Sequence, residues 1–362
     1  MRVLLVRTDR MGDVILSTPV ATLLKEAHPD WQVDMLVSAW LAPLVRIHRD
    51  VDAVLTCQPE RQRVRDLAHE LRLRKYDAAV LLHPKPALAF ALWLARIPLR
   101  IGTRYRAYSF LLNRRVAVHR KHSPLHELEL NVLTAAPLGL APIAHVNPLF
   151  RFSVPEEAEA AVSAKLEAAG AEPNARPIVV HPGSGGSARD WPIDRFAELL
   201  RDLAELSLGS VVVTGSSTER TLVDTLVALS QTPLVRLDGQ LSVVELAALL
   251  RRARLVVANS TGPLHLAVAM GTPVVGLYCP VGPCHPRRWG PYGRPNAVVM
   301  PEVPECSRCR KSCPYYDCMA SIPAGRVLEK IREVLDDATN VWQTADPKPT
   351  SVRMTPQPEE KS

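Results

Sequence analysis

One recurring unit constrains what this chain can fold into: a short apolar run, closed by turn residues and followed by a helix-forming stretch. The runs fall near residues 2–7, 32–37, 52–56, 76–82 and 98–101, and again near 178–181, 210–214, 234–237, 255–258 and 273–278. Unbroken apolar runs of this length, separated by helical segments, are the signature of buried parallel strands. The chain therefore reads as α/β, with two β/α repeats. A length of 362 residues suits two cores better than one. The boundary falls near 151–177, where Pro155, Pro173 and Pro177 flank an Ala- and Glu-rich helical segment. Two units over 1–155 and 175–322 follow. A helix over 324–340 is expected to pack back on the first unit. Residues 343–362, rich in Pro, Thr, Lys and Glu, are expected to form a disordered tail.

Three loops carry chemistry. The run Leu255–Ala258 leads into Asn259-Ser260-Thr261-Gly262-Pro263-Leu264-His265 and then a helix. Unpaired N–H groups at such a helix start, with the helix dipole, form a site for phosphate or diphosphate. The ordinary alternative is a helix N-cap supplied by Ser260 or Thr261. The strand Ile178–Val180 ends in His181-Pro182-Gly183-Ser184-Gly185-Gly186-Ser187-Ala188-Arg189. Small residues let a ligand approach the backbone there, and the Arg189 fork matches phosphate oxygens. No Gly-Lys-Ser/Thr follows, so this is not a Walker A loop. At the N-terminus, Val3–Val6 opens through Arg7-Thr8-Asp9-Arg10-Met11-Gly12-Asp13 into a helix expected over 14–27. A dinucleotide fingerprint needs three spaced glycines and only Gly12 is present, which argues against NAD. Asp13 stands either as an N-cap or as a carboxylate facing a crevice, available as a base.

Together these segments resemble glycosyltransferase family 9, the ADP-heptose:lipopolysaccharide heptosyltransferases. The resemblance runs from residue 1 to about 340. It rests on Arg7, Arg10, Gly12 and Asp13, on the His-Pro-Gly loop closed by Trp191-Pro192, and on the Ser/Thr-Gly-Pro-x-His turn. Gly215 to Glu219 with Arg220, and a cysteine segment closed by Cys318-Met319, complete it. The resemblance implies a GT-B fold, two Rossmann-like domains facing across a cleft, with acceptor on the first and nucleotide sugar on the second. It implies donor contacts from Ser184, Arg189, Glu219, Ser260, Thr261, Gly262 and His265, Glu219 at the nucleoside. Two departures bear on the donor: Ser260 stands where members often carry Asp, and Arg189 where they often carry Lys. The paired glutamates of retaining enzymes of this fold are absent, so inversion by direct displacement with Asp13 as base is expected. No DxD-type motif is present, and no cofactor is expected to be required for catalysis.

Charge adds a partner. Residues 1–150 hold 21 Lys and Arg against 13 Asp and Glu, whereas the remainder holds 23 against 24. The whole net charge of +7 thus belongs to the first half. That asymmetry points to an anionic, membrane-borne acceptor, with Arg7, Arg10, Lys85, Arg100, Arg104 and Arg106 as candidate contacts. Nucleic acid is the rival, but the basic residues lack interleaved aromatics for base stacking. The apolar stretch from Ala87 to Ala95 is too short to span a bilayer and reads as a core helix, or less simply as a membrane-contacting face. Arg2, Arg7, Asp9 and Arg10 break any signal-peptide core, so a cytoplasmic protein, peripheral to the inner membrane, is expected. Cys306, Cys309, Cys313 and Cys318 are spaced compatibly with a structural zinc site, or form a loop of reduced thiols. Two other functions stay open: a nucleotide-sugar epimerase of the same fold, and a non-catalytic glycolipid-binding relative.

Overall fold

A computed structural model describes residues 1–58, 62–120, 123–143, 149–172, 175–206 and 210–341. The expected tail over 343–362 lies outside them. Among the described residues, twelve strands form two six-stranded sheets. The first contains β1 (Arg2–Val6), β2 (Gln32–Val37), β3 (Ala53–Thr56), β4 (Ala78–Leu81), β5 (Leu99–Thr103) and β6 (Arg114–Val116). The second contains β7 (Ile178–His181), β8 (Val211–Val213), β9 (Val235–Arg236), β10 (Leu255–Asn259), β11 (Val274–Leu277) and β12 (Val298–Val299). Their orders are β3-β2-β1-β4-β5-β6 and β12-β11-β10-β7-β8-β9. Read from opposite ends these are one winding, used twice. Every pairing is parallel.

The central strands are covered on both faces, which is why they read as unbroken apolar runs: Val3, Leu4, Leu5 and Val6 are wholly buried. Of the four edge strands, β6 and β12 leave no such run. The first reads Arg-Arg-Val and is largely exposed, and the second is only two residues long.

This winding places the loops. Strand order reverses between β1 and β4, and again between β7 and β10, and ligands of open α/β sheets bind beyond the strand ends at such points. The register aligns those ends, pairing Val6 with Leu36 and Leu81, and Ala258 with His181 and Gly276. All three loops singled out in the sequence leave from these switch points.

Two local readings change. The single helix expected over 14–27 is two, Met11–Ile15 and Thr18–Ala27. Pro19 has no N–H for the Ile15 carbonyl, and the Thr18 hydroxyl takes it instead at 2.9 Å. The helix Ala324–Val341 does not return to the first unit. It packs on the helix Ile193–Glu205 and on β11, burying Val327 and Ile331 in the core that holds Phe196 and Leu200.

The halves meet through short contacts. An added Cβ on Gly12 would lie 2.6 Å from His265 Cδ2, and one on Gly262 would lie 2.7 Å from Met11 Cβ. Only glycine at both positions lets the helices Met11–Ile15 and Gly262–Ala269 come this close. His126 adds a second tie: its Nδ1 accepts from the Leu128 N–H at 3.2 Å, and its Nε2 donates to the Gly290 carbonyl at 2.9 Å.

The Leu128 bond requires the neutral ring, since a protonated Nδ1 cannot accept. Burial pushes the His126 pKa down to about 4, and likewise lowers His48 to about 4 and His265 to about 3. The unfolded chain binds these protons first, so this stabilisation is complete above about pH 6.5 and is lost as pH falls towards 4. Asp13, shifted upwards, offsets part of the loss. Thermal unfolding should therefore show a falling Tm from pH 7 to pH 4, with a shallower slope in His126→Asn. A Tm independent of pH over that range would contradict this account.

Candidate active site

A cavity of about 630 Å³ lies between the two switch points. Arg10, Met11, Gly12, Asp13 and Trp40 line it from the first half. The loops after β7, β8 and β10 line it from the second.

On the first side, Arg7 determines the geometry. It emerges from β1 at 3% exposure, and each guanidinium nitrogen is engaged. Nε donates to Asp9 Oδ1 at 2.7 Å, and Nη1 to the Leu82 carbonyl, Glu127 Oε1 and Asn131 Oδ1 at 3.1–3.2 Å. Nη2 donates to Asp13 Oδ1. Burial opposes the charge on Arg7, but Asp9, Asp13 and Glu127 outweigh it and hold the cation firmly protonated. Arg7 is thus not placed as an acceptor contact: it is a buried anchor, engaged at every nitrogen, and does not line the cavity. Asp13 makes no N-cap bond. Its pKa is pushed up to about 6, chiefly by burial, with Asp9 and Glu127 adding and Arg7 opposing. A carboxylate of that pKa is ionised at neutral pH yet more basic than a free one, as a general base should be.

On the second side, the helix Gly262–Ala269 begins without a side-chain cap, although Thr261 occupies the N-cap position. The ordinary capping alternative is therefore not what the chain does, and the terminal N–H groups remain for a ligand. Asn259 fixes this turn to the loop after β7. Its Oδ1 accepts from the Trp191 N–H at 2.9 Å and its Nδ2 donates to the Pro182 carbonyl at 2.6 Å. Ser187 Oγ lies 2.9 Å from the Ser260 carbonyl. Ser184, Ser260, Thr261, Gly262 and His265 all line the cavity. His265 is buried and, with its lowered pKa, neutral. Glu219 also lines the cavity while capping its own turn, accepting from the Ser216 N–H at 2.8 Å. Burial raises its pKa, but the Ser216 and His181 contacts outweigh that and leave it below the ordinary value. Its carboxylate fills the space where a Gly183 Cβ would stand, 1.9 Å from Oε1, so that glycine makes room for the acid.

Other expected residues fall elsewhere. Arg189 does not line the cavity. Its Nη2 pairs with Asp317 at 3.1 Å and its guanidinium sits 4.9 Å over the Tyr316 ring, both on the cysteine-bearing segment. Arg100 lies towards the start of β5, opposite Ala79, and its guanidinium is spent on the Leu111 and Ile97 carbonyls. It is a structural residue, away from the strand ends. Arg104 and Arg106 follow β5 and are exposed, Lys85 precedes the helix Pro86–Leu94, and none of the three lines the cavity. Arg10 is exposed at the cavity wall. Among the described residues, no three Cys, His, Asp or Glu side chains converge as a metal-binding group. The four thiols lie along a turn-rich, largely exposed loop tied down at Cys306, which accepts from the Gly282 N–H at 2.8 Å, so they do not fit a tetrahedral zinc site here.

The sequence reading missed Glu127, Asn131 and Arg288. Glu127 and Asn131 sit on the helix Glu127–Ala135 with no exposure at all. A charged and an amide residue four apart within an apolar helix was the one available signal. Arg288, in the helix Pro286–Trp289, reaches Glu127 Oε2 with Nε at 2.9 Å and Nη2 at 2.8 Å.

Comparison with known proteins agrees with this geometry. Residues 64–319 match the model of glycosyltransferase family 9 (heptosyltransferase). Lipopolysaccharide heptosyltransferase 2 of Escherichia coli K12 is 26% identical over 352 residues, covering 92% of this chain and 99% of that protein. The crystal structure of a family 9 glycosyltransferase from Veillonella parvula superposes with a TM-score of 0.78 at 20% identity, over 93% of this chain and 97% of the other. The E. coli ADP-heptose lipopolysaccharide heptosyltransferase II structure gives 0.75 at 23% identity, over 94% and 100%. Two Rossmann-like units across a cleft, as in these neighbours, are the GT-B fold, and the chain belongs to glycosyltransferase family 9.

Proposed function

We propose that this glycosyltransferase moves a heptose from ADP-heptose to the inner core of lipopolysaccharide, with inversion and without a metal. One observation carries the reading: the raised, Arg7-held carboxylate of Asp13 and the uncapped N-terminus of the helix Gly262–Ala269 line the same cavity. The relatives' names, lipopolysaccharide heptosyltransferase and ADP-heptose heptosyltransferase, supply the substrate class.

In this reading Asp13 removes the proton of an acceptor hydroxyl. The oxygen attacks the anomeric carbon from the face opposite the diphosphate. The bond from that carbon to the phosphate oxygen breaks, and its electron pair leaves with ADP. The helix N-terminus, Ser184 and the Ser260–Gly262 backbone receive the developing charge, and Arg10 adds a cation at the wall. Glu219, which lines the cavity, would contact the nucleoside in this reading. Arg189, paired with Asp317, would join the phosphates only by exchanging that partner. Among the described residues no helix is long and apolar enough to cross a membrane. The helix Pro86–Leu94 nevertheless turns an apolar stripe outward, with Phe90 42% and Trp93 46% exposed and stacked at 5.6 Å. Phe110, on the neighbouring turn Ala107–Leu111, is 72% exposed. Aromatic residues beside Arg104 and Arg106 suit peripheral attachment to the anionic cytoplasmic face of the inner membrane.

Three outcomes test the reading. Asp13→Asn should keep nucleotide affinity and lose about 10²–10⁴ in turnover. The wild-type rate should fall as pH drops through about 6, as Asp13 takes up its proton. Undiminished turnover in the variant would remove Asp13 from the mechanism. In a thermal-shift panel, ADP should raise the Tm more than UDP or GDP at equal concentration, since a ligand of the folded state stabilises by mass action. A UDP or GDP preference would reassign the donor. Replacing Arg104 and Arg106 by Ser should weaken sedimentation with anionic vesicles, at about 1 kcal/mol per arginine near the surface, and raise the acceptor KM alone. Parental behaviour at low salt would show those charges to be solvation only.

A further inference from the structure

We propose that Glu127 is a positioning residue through which closure of the two halves sets the placement of Asp13. The proposal rests on Asp13 acting as the base. The Glu127 side chain has no solvent exposure, yet it carries three guanidinium groups. Arg7 Nη1 lies 3.1 Å and Arg120 Nε 2.9 Å from Oε1, both from the first half. The third, Arg288, comes from the second half and grips Oε2 with two donors.

The charges close only when the halves do. Asp9, Asp13 and Glu127 face Arg7, Arg120 and Arg288, three against three. Around them stand His83, 3.9 Å from Asp9, the neutral His126 and His265, the Glu129 carboxylate on the His126 N–H, and Arg10 at the wall. Removing Arg288 by opening the cleft leaves a buried carboxylate with too little positive charge, a costly state. Arg7 is then drawn towards Glu127, and Asp13 loses part of the partner that orients it. With Arg288 in place, Glu127 is satisfied from the far side and Arg7 Nη2 stays on Asp13. Asn131 strengthens the coupling, since it accepts from Arg7 and from Arg120 and donates to the Leu16 carbonyl at 3.0 Å, at the end of the helix bearing Asp13. Closure is thereby reported to the base through two residues that do not line the cavity.

The two ends of this relay should move Asp13 in opposite directions. Glu127→Gln removes a negative neighbour and frees Arg7 for Asp13, so the acid limb of the kcat/KM profile should move to lower pH. Arg288→Ala leaves Glu127 undercompensated, so the limb should move to higher pH; each shift should be roughly half a unit or more. Arg288 is partly exposed, so its variant keeps the assay informative where Glu127→Gln fails to fold. Arg288→Ala should also lower kcat by up to about 10²-fold, the reported cost of small misplacement, with donor KM little changed. Arg288→Lys, a single donor in place of two, should recover part of it. An unmoved limb in Arg288→Ala, or shifts of the same sign in both variants, overturns the relay and leaves Glu127 a structural residue. Full turnover in Asp13→Asn would instead defeat the assignment of the base, independently of either shift.

Discussion

The site depends on one buried cation. Arg7 sits where β1 ends, at a point the sheet cannot solvate, and only carboxylates make its burial tolerable. It therefore gathers Asp9, Asp13 and Glu127 from a loop, a short helix and a distant helix into one cluster. Each acid then has a different fate. Glu127, with three guanidinium partners, is held at about 2 although burial works against it, whereas Asp13, with one, is raised to about 6. The difference between a structural acid and a reactive one here is the number of cations it can reach.

Using the same strand order twice has a geometric effect. Each sheet opens one crevice, and each crevice is lined by the loop that begins its half. Facing the crevices produces a single cavity with a proton acceptor on one wall and an anion site on the other. Gly12 and Gly262 let those walls touch. A methyl group on either would hold the halves apart by more than a hydrogen bond tolerates.

Much of this was legible in the sequence, because central parallel strands are apolar on both faces and announce themselves. The edge strands β6 and β12 did not, since the first reads Arg-Arg-Val and is largely exposed and the second is only two residues long. Asp13, Ser184, Thr261 and His265 were legible because loops at strand ends carry function in this architecture. Arg7 was read as a ligand contact because an arginine in a loop looks available; its burial is decided by residues 120 and more positions away. Arg100 and Arg189 were misplaced for the same reason: a guanidinium reaches far, and its partner cannot be deduced from its own position. The pairing of Glu127 with Arg288, 161 residues apart, was invisible to any local pattern.

The helix Ala324–Val341 stays with the second sheet, so among the described residues the chain crosses between the two halves a single time. The halves thus behave as two partners on one tether, and their meeting is an intramolecular association. A tether of this kind holds its ends at an effective concentration in the millimolar range. The contacts between the halves, the Arg288–Glu127 pair and the His126–Gly290 bond beside the close approach at Gly12 and Gly262, are then intramolecular and need not be strong enough to join two separate molecules.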